Sequence, residues 1–98
     1  MAKGYWIGRV DVHNEEGYKP YMAANPAIFQ KFGGKFIVRG GKTRTLEGGW
    51  KPSRMVVLEF PSYEKAEEFY DSDFYKPLLE MRLKAGKSKA IIVDGHAG

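Results

Sequence analysis

Arg54-Met55-Val56-Val57-Leu58-Glu59-Phe60-Pro61-Ser62 is the stretch whose reading decides the fold. Its first seven residues are rich in β-branched and aromatic side chains and contain no glycine or proline, which reads as a strand. Side chains alternate across a strand, so Arg54, Val56, Leu58 and Phe60 share one face and Met55, Val57 and Glu59 the other. The first set is apolar beyond Arg54 and belongs under a helix. Pro61 ends the strand, and Ser62 is placed to cap a helix from Tyr63 to about Tyr70.

Upstream, Gly4–Val12 reads as another strand, broken by His13-Asn14. Glu15–Phe32 is helical. Tyr18, Tyr21, Met22, Ile28, Phe29 and Phe32 recur near helical spacing, and Glu15 and Glu16 lie where the helix dipole favours acids. Asn25-Pro26 predicts a kink or two short helices, because an interior proline removes a backbone donor. Gly33-Gly34 closes the helix, Lys35–Arg39 is a strand, and Gly40-Gly41 is a turn or bulge. Lys42–Glu47 reads as extended, and Gly48-Gly49 turns again. Downstream, Ser72 caps a second helical segment with Leu78, Leu79 and Leu83 on its apolar side. Gly86 stops it, Ser88–Val93 is the last strand, and Asp94–Gly98 is a tail expected to fray.

The order is β-α-β-β-α-β with an extra strand or hairpin in the middle. This is an α+β, ferredoxin-like arrangement: one antiparallel sheet with helices on one face only. The other face must find a partner, meet solvent or bind something. Strict alternation puts Tyr5, Ile7, Arg9 and Asp11 of the first strand on one side and Trp6, Gly8, Val10 and Val12 on the other. In the second it sets Phe36 and Val38 against Lys35, Ile37 and Arg39. The mixed sets combine Ile7, Ile37, Met55 and Val57 with Arg9, Asp11, Arg39 and Glu59. Such a face suits a sheet-to-sheet interface or a ligand cavity, because its charges can pair with one another.

Ninety-eight residues make one domain, 1–98, with one core and little room for a deep internal cavity unless a partner chain helps to wall it. There is no cysteine, which excludes disulfides, thiolate metal sites and cysteine nucleophiles. The longest apolar runs, Met55–Leu58 and Ala90–Val93, fall far short of the about 20 residues of a membrane helix and the roughly 7 of a signal-peptide core. A cytoplasmic location is expected. Net charge is +4, and it is uneven: residues 1–49 carry eight basic and four acidic groups, residues 50–98 eight of each. Between Lys31 and Arg54, seven basic residues face only Glu47. That stretch invites a nucleic-acid or anionic-ligand reading.

Most chemical motifs fail. Gly40-Gly41-Lys42-Thr43 contains a Gly-Lys-Thr triplet, but a phosphate loop needs glycine at the position of Phe36 and a helix after the threonine. Tyr5-Trp6-Ile7-Gly8-Arg9-Val10 is faintly like the first RNA-contacting strand of an RNA-recognition module, yet Arg54–Phe60 supplies no matching series of exposed aromatics. His13 has no second metal ligand at suitable spacing and reads as a turn residue; His96 lies in the tail. No serine has a nucleophile-elbow context. The run Ser72-Asp73-Phe74-Tyr75 followed by Arg82 offers hydroxyl and guanidinium donors to an anionic or carbonyl ligand.

Taken together, Tyr5-Trp6-Ile7, Tyr18-x-x-Tyr21, Gly33-Gly34-Lys35-Phe36-Ile37-Val38-Arg39-Gly40-Gly41, Leu46-Glu47-Gly48, Pro52-x-Arg54, Leu58-Glu59-Phe60-Pro61-Ser62, Ala66, Tyr70-x-Ser72-x-x-Tyr75, Arg82 and Asp94-Gly95 resemble the domain-of-unknown-function family numbered 1330. The resemblance spans nearly the whole chain. It implies the dimeric α+β barrel superfamily, in which two ferredoxin-like subunits put their open sheet faces together as a homodimer. The family has no assigned reaction. The superfamily includes cofactor-free monooxygenases, haem-degrading enzymes, lactone isomerases and plain binding modules, so fold does not settle function. No residue here matches the haem-ligating histidine of the haem-degrading relatives, and no cofactor or metal is expected.

The polar positions carried over are Arg39, Arg54, Glu59, Tyr70, Ser72, Tyr75 and Arg82. The expectation is a small anionic or carbonyl-bearing ligand in a pocket between sheet and helices or inside the dimer barrel. Arg39 and Arg54 would hold its negative group, and Tyr70 and Tyr75 would donate hydrogen bonds or stack. Ser72 and Arg82 would complete the ligand-binding set. Glu59 would pair with an arginine or serve as the base of a cofactor-independent oxygenase or isomerase. The alternative is a non-catalytic ligand-binding or RNA-binding module; nucleic acid and membrane are not expected partners.

Overall fold

Arg54–Phe60 forms β3, the strand that organises the sheet in this computed structural model, which describes residues 2–49, 51 and 54–97. Its antiparallel neighbours are β1 (Gly4–Val12) and β2 (Lys35–Arg39); β4 (Gly86–Asp94) pairs antiparallel with the far side of β1. The strand order β2-β3-β1-β4 is that of the ferredoxin-like fold. Helices α1 (Glu15–Gln30), α2 (Tyr63–Asp71) and α3 (Lys76–Ala85) complete the chain.

The cap predicted at Ser62 is made, its Oγ accepting from the Lys65 N–H at 3.1 Å. Asn14, read only as a strand breaker, caps α1, its Oδ1 accepting from the Gly17 N–H at 3.1 Å. Ser72 was expected to cap the next helix but ends α2 instead, and α3 starts after Tyr75 without a side-chain cap. Gly86 follows α3 directly and is already the first residue of β4, two residues earlier than expected. The tail is tied at its start, since the Gly95 N–H donates to Lys3 O at 2.7 Å.

Two further expectations are corrected. The helix was expected to bend or divide at Asn25-Pro26, yet α1 runs unbroken through both Pro20 and Pro26. Tertiary burial explains this: Tyr18, Tyr21, Asn25 and Phe29 form one stripe at i, i+3, i+7 and i+11 that packs on the core and holds the helix across the missing donor. Lys42–Glu47 was expected to be extended in a strand, but these residues belong to no strand of the sheet; all six are exposed, with no apolar face to bury.

The core lies between the sheet and the helices. Trp6, Val10, Val56, Leu58 and Phe60 from the strands meet Tyr18, Phe29, Ala66, Phe69 and Tyr75. Phe69 is its hub, with ring centroids 6.4 Å from Phe29, 5.2 Å from Phe60 and 4.5 Å from Tyr75. Each such aromatic pair contributes about 0.5–1.5 kcal/mol beyond area burial. Among the described residues, no helix is long and apolar enough to cross a membrane.

Candidate functional site

A bulge in β2 decides where its arginine goes. Phe36 pairs with Leu58, but Val38 pairs with Val57 and Arg39 with Val56, so Ile37 is the extra residue. Strict alternation placed Arg39 on the open face and Val38 under the helices; the bulge exchanges them. Arg39 therefore lies on the helix side, with its guanidinium carbon 4.6 Å from the Phe36 ring centroid.

There it meets Arg54, whose guanidinium carbon is 5.9 Å from the Tyr18 ring centroid. Burial pushes the Tyr18 hydroxyl's pKa up, and the hydrogen bond and charge of Arg54 pull against that rise. Arg39 and Arg54 share a cleft with Trp6, Tyr18, Tyr21 and Asn25. The cavity these residues enclose measures ≈ 10 Å³, the room of about one water-sized group. Tyr18, Met22 and Arg54 also wall an open vestibule of ≈ 310 Å³, beside Val12, Glu15 and Lys19. Two polar atoms at the cleft are buried without a hydrogen-bond partner: Arg54 Nε and Asn25 Oδ1. Each would cost about 1–3 kcal/mol if nothing filled the cleft.

Behind this cleft runs a buried polar chain. The Tyr21 and Tyr75 hydroxyls are 2.8 Å apart, Asn25 Nδ2 donates to Tyr21 Oη at 3.4 Å, and Arg82 Nε donates to Tyr75 Oη at 3.3 Å. Arg82 also donates through Nη1 to Ser88 Oγ, and its guanidinium stands 5.5 Å from the Trp6 ring centroid. Trp6 can lie flat there because Gly8 has no Cβ to collide with its indole. Burial works against the charge of Arg82, but the facing Tyr75 and Tyr21 outweigh it and hold the pKa above the ordinary arginine value. Burial, reinforced by Tyr75, holds the Tyr21 hydroxyl well above the ordinary tyrosine value.

The sequence-derived candidates thus fall in three places. Arg39 and Arg54 converge on the cleft. Tyr75 and Arg82 stand one layer behind it, and Tyr70 packs its ring 5.5 Å from that of Tyr75. Ser72 joins α2 to α3: its hydroxyl donates to Phe69 O at 2.7 Å and accepts from the Tyr75 N–H at 3.2 Å. Glu59 is on the opposite face of the sheet. It was expected to pair with an arginine or to serve as a base; the partners it has are Tyr5 Oη, from which it accepts at 3.3 Å, and Lys35 Nζ at 3.5 Å. Among the described residues, the open-face arginine, Arg9, pairs with Asp11 at 3.0 Å.

Tyr18, Tyr21 and Asn25 were missed as site residues. Periodicity marked Tyr18 and Tyr21 as core, which they also are, and Asn25 was read only as part of a kink with Pro26; an asparagine in a buried helical stripe was the signal that polar chemistry lay there. On the open face, Ile7, Arg9, Met55, Lys89 and Ile91 line a second depression of ≈ 500 Å³, partly roofed by Gly48, Gly49 and Lys51. No group of three or more metal-ligating side chains occurs among the described residues.

A β2-β3-β1-β4 antiparallel sheet with helices on one face is the ferredoxin-like architecture. The chain belongs to the family described as domain of unknown function DUF1330, which matches residues 3–96. The fold is shared with a protein of unknown function from Rhodopseudomonas palustris, at 18% identity and a TM-score of 0.77 over 99% of this chain and 85% of that one. It is shared too with SnoaB, a cofactor-independent oxygenase from Streptomyces nogalater, at 13% identity and a TM-score of 0.68 over 100% and 97%. An uncharacterized NIPSNAP domain protein from Burkholderia xenovorans matches at 11% identity and a TM-score of 0.55 over 99% and 96%. At these identities the likeness concerns the fold. No curated protein is significantly similar to the chain in sequence.

Proposed function

We propose that the chain binds a small anionic or carbonyl-bearing molecule in the cleft between α1 and the sheet. The observation that carries this is the convergence of Arg39 and Arg54 on one cleft in which Arg54 Nε and Asn25 Oδ1 have no partner. Two guanidiniums beside a buried, unsatisfied donor favour an oxygen acceptor. The vestibule would take the body of the ligand.

The open sheet face supports a homodimer within this reading. Ile7, Val38, Val57, Ile91 and Val93 lie on it, and Ile91 is 61% exposed. A second copy would cover that surface and leave the cleft, on the other side of the sheet, open to solvent. A cofactor-independent oxygenase is the catalytic version, favoured by the fold shared with SnoaB. Glu59, as the base of an oxygenase or isomerase, would then act on the open sheet face, beside Tyr5 and Lys35, rather than in the cleft.

Benzoate is a suitable probe. Calorimetric titration should give saturable binding that falls at least about tenfold in Arg54→Met, the loss of one charge-assisted hydrogen bond, and is unchanged in Glu59→Gln. Equal binding by the wild type and Arg54→Met would refute the assignment.

A further inference from the structure

Arg82 is a buried cation that lacks a carboxylate. It is 2% exposed, and among the described residues none of the ion pairs includes it. Its partners are the neutral hydroxyls of Tyr75 and Ser88 and the face of Trp6. A buried charge without a counter-ion is costly unless something nearby offers negative charge. Through Tyr75 its hydrogen bonds reach the cleft walled by Tyr21, Asn25 and Arg54, and through Ser88 they reach an open depression along β4 that Asp11 and Lys89 also line.

The hydrogen bonds in that chain have a direction. A guanidinium donates and cannot accept. Arg82 Nε therefore occupies one lone pair of Tyr75 Oη, and Tyr75's own proton has Tyr21 Oη as its acceptor among the described residues. Tyr21 Oη takes a second bond from Asn25 Nδ2, which leaves its own proton to be given to the cavity. Turning the Asn25 amide over changes little: Oδ1 would then take the Tyr21 proton and Nδ2 would face the cavity. In either arrangement a donor polarised by Arg82 stands beside the spare Arg54 Nε–H.

From this arrangement we infer that the inner cavity is a binding site for a single phenolate or enolate oxygen, held between the Tyr21–Asn25 pair and Arg54 and stabilised through Tyr75 by Arg82. This rests on the cleft reading and narrows its ligand class. The cavity of ≈ 10 Å³ has room for about one water-sized group, so a single ligand oxygen enters it while the body of the ligand stays in the vestibule. Arg39 and Tyr18 are the other polar neighbours of the cavity, and Glu15 and Lys19 stand at the vestibule. Glu15 is the one carboxylate on either wall, on the outer side, away from the relay. Tyr75 and Arg82 are positioning residues here, since neither lines the cavity.

The probe is 4-nitrophenol, whose ionised and neutral forms differ in visible absorbance. With wild-type protein the bound phenol should ionise at lower pH than the free phenol, because the anion binds about tenfold or more tightly than the neutral form, one pKa unit per factor of ten. Tyr75→Phe and Arg82→Gln should abolish that preference while circular dichroism shows the fold intact, and Arg82→Lys should restore part of it. Benzoate binding should persist in Tyr75→Phe. An anion preference undiminished in both Tyr75→Phe and Arg82→Gln overturns the relay. An absent preference in the wild type, with benzoate still bound through Arg54, overturns the relay and leaves the cleft reading standing. If neither probe binds, the cleft reading fails and this inference with it.

Discussion

The guanidinium of Arg54 rests against the bare α-carbon of Gly40: a Cβ added there would overlap Arg54 Nη1. Gly40 also has φ +63°, a conformation that side chains rarely adopt, and its N–H donates to Met55 O at 2.7 Å. The glycine after β2 thus both turns the chain and seats the arginine that walls the cleft.

Gly40→Ala should therefore cost stability, about 1–2 kcal/mol for the left-handed backbone, and should weaken benzoate binding by displacing Arg54. Gly41→Ala is the control, since an added Cβ there meets nothing; it should change stability by no more than about 0.5 kcal/mol. Denaturant midpoints for the two variants check this. Equal effects would show that the Gly40–Arg54 packing is unimportant.

Arg82→Ala removes a fully buried side chain and leaves Tyr75 and Ser88 without their donor. Lost packing and unsatisfied hydroxyls together should cost about 3 kcal/mol or more. Urea unfolding at neutral pH measures it, and a loss below about 1 kcal/mol would mean that the network contributes little.

The raised pKa of Tyr21 makes a prediction about alkaline stability. Above the ordinary tyrosine value of about 10, the unfolded chain gives up this proton while the folded chain keeps it. Folding stability is then complete below that pH and falls as pH rises beyond it. Tyr18 shifts in the same direction and contributes its own part. Tyr21→Phe should flatten the fall in stability above pH about 10 by up to one proton's worth of slope. An unchanged slope would show that the Tyr21 hydroxyl ionises as readily in the folded protein as in the unfolded chain.

If the open sheet face is a dimer interface, light scattering at micromolar concentration should give about twice the chain mass of 11.1 kDa. Ile91→Glu, on β4 opposite Ile7, should return it to the monomer while leaving the helix-side core intact. A wild-type mass of 11.1 kDa would refute the interface.

The strands and helices were legible because each carries its own local signal. The alternation in Arg54–Phe60 and the Ser62 cap specify β3 and α2 without reference to anything distant. Two features were not legible, for the same physical reason. The unbroken α1 depends on core packing that outweighs Pro26, and the position of Arg39 depends on a bulge that only the pairing with β3 defines. Half of the candidate site follows from that bulge. Arg54 was placed on the helix side by alternation, and Arg39 joined it against alternation. Tyr75 and Arg82 were identified as donors, but their reach to Tyr21 and Asn25 across the α1–α3 contact could not be read from spacing within one element.

The central claim is that Arg39 and Arg54 make the α1-side cleft the binding site. Amide chemical-shift mapping with benzoate tests it most directly. The account predicts changes clustered at Tyr18, Met22, Asn25, Arg39 and Arg54, lost in Arg54→Met. Changes clustered instead at Ile7, Arg9, Lys89 and Ile91, on the open face, would contradict it.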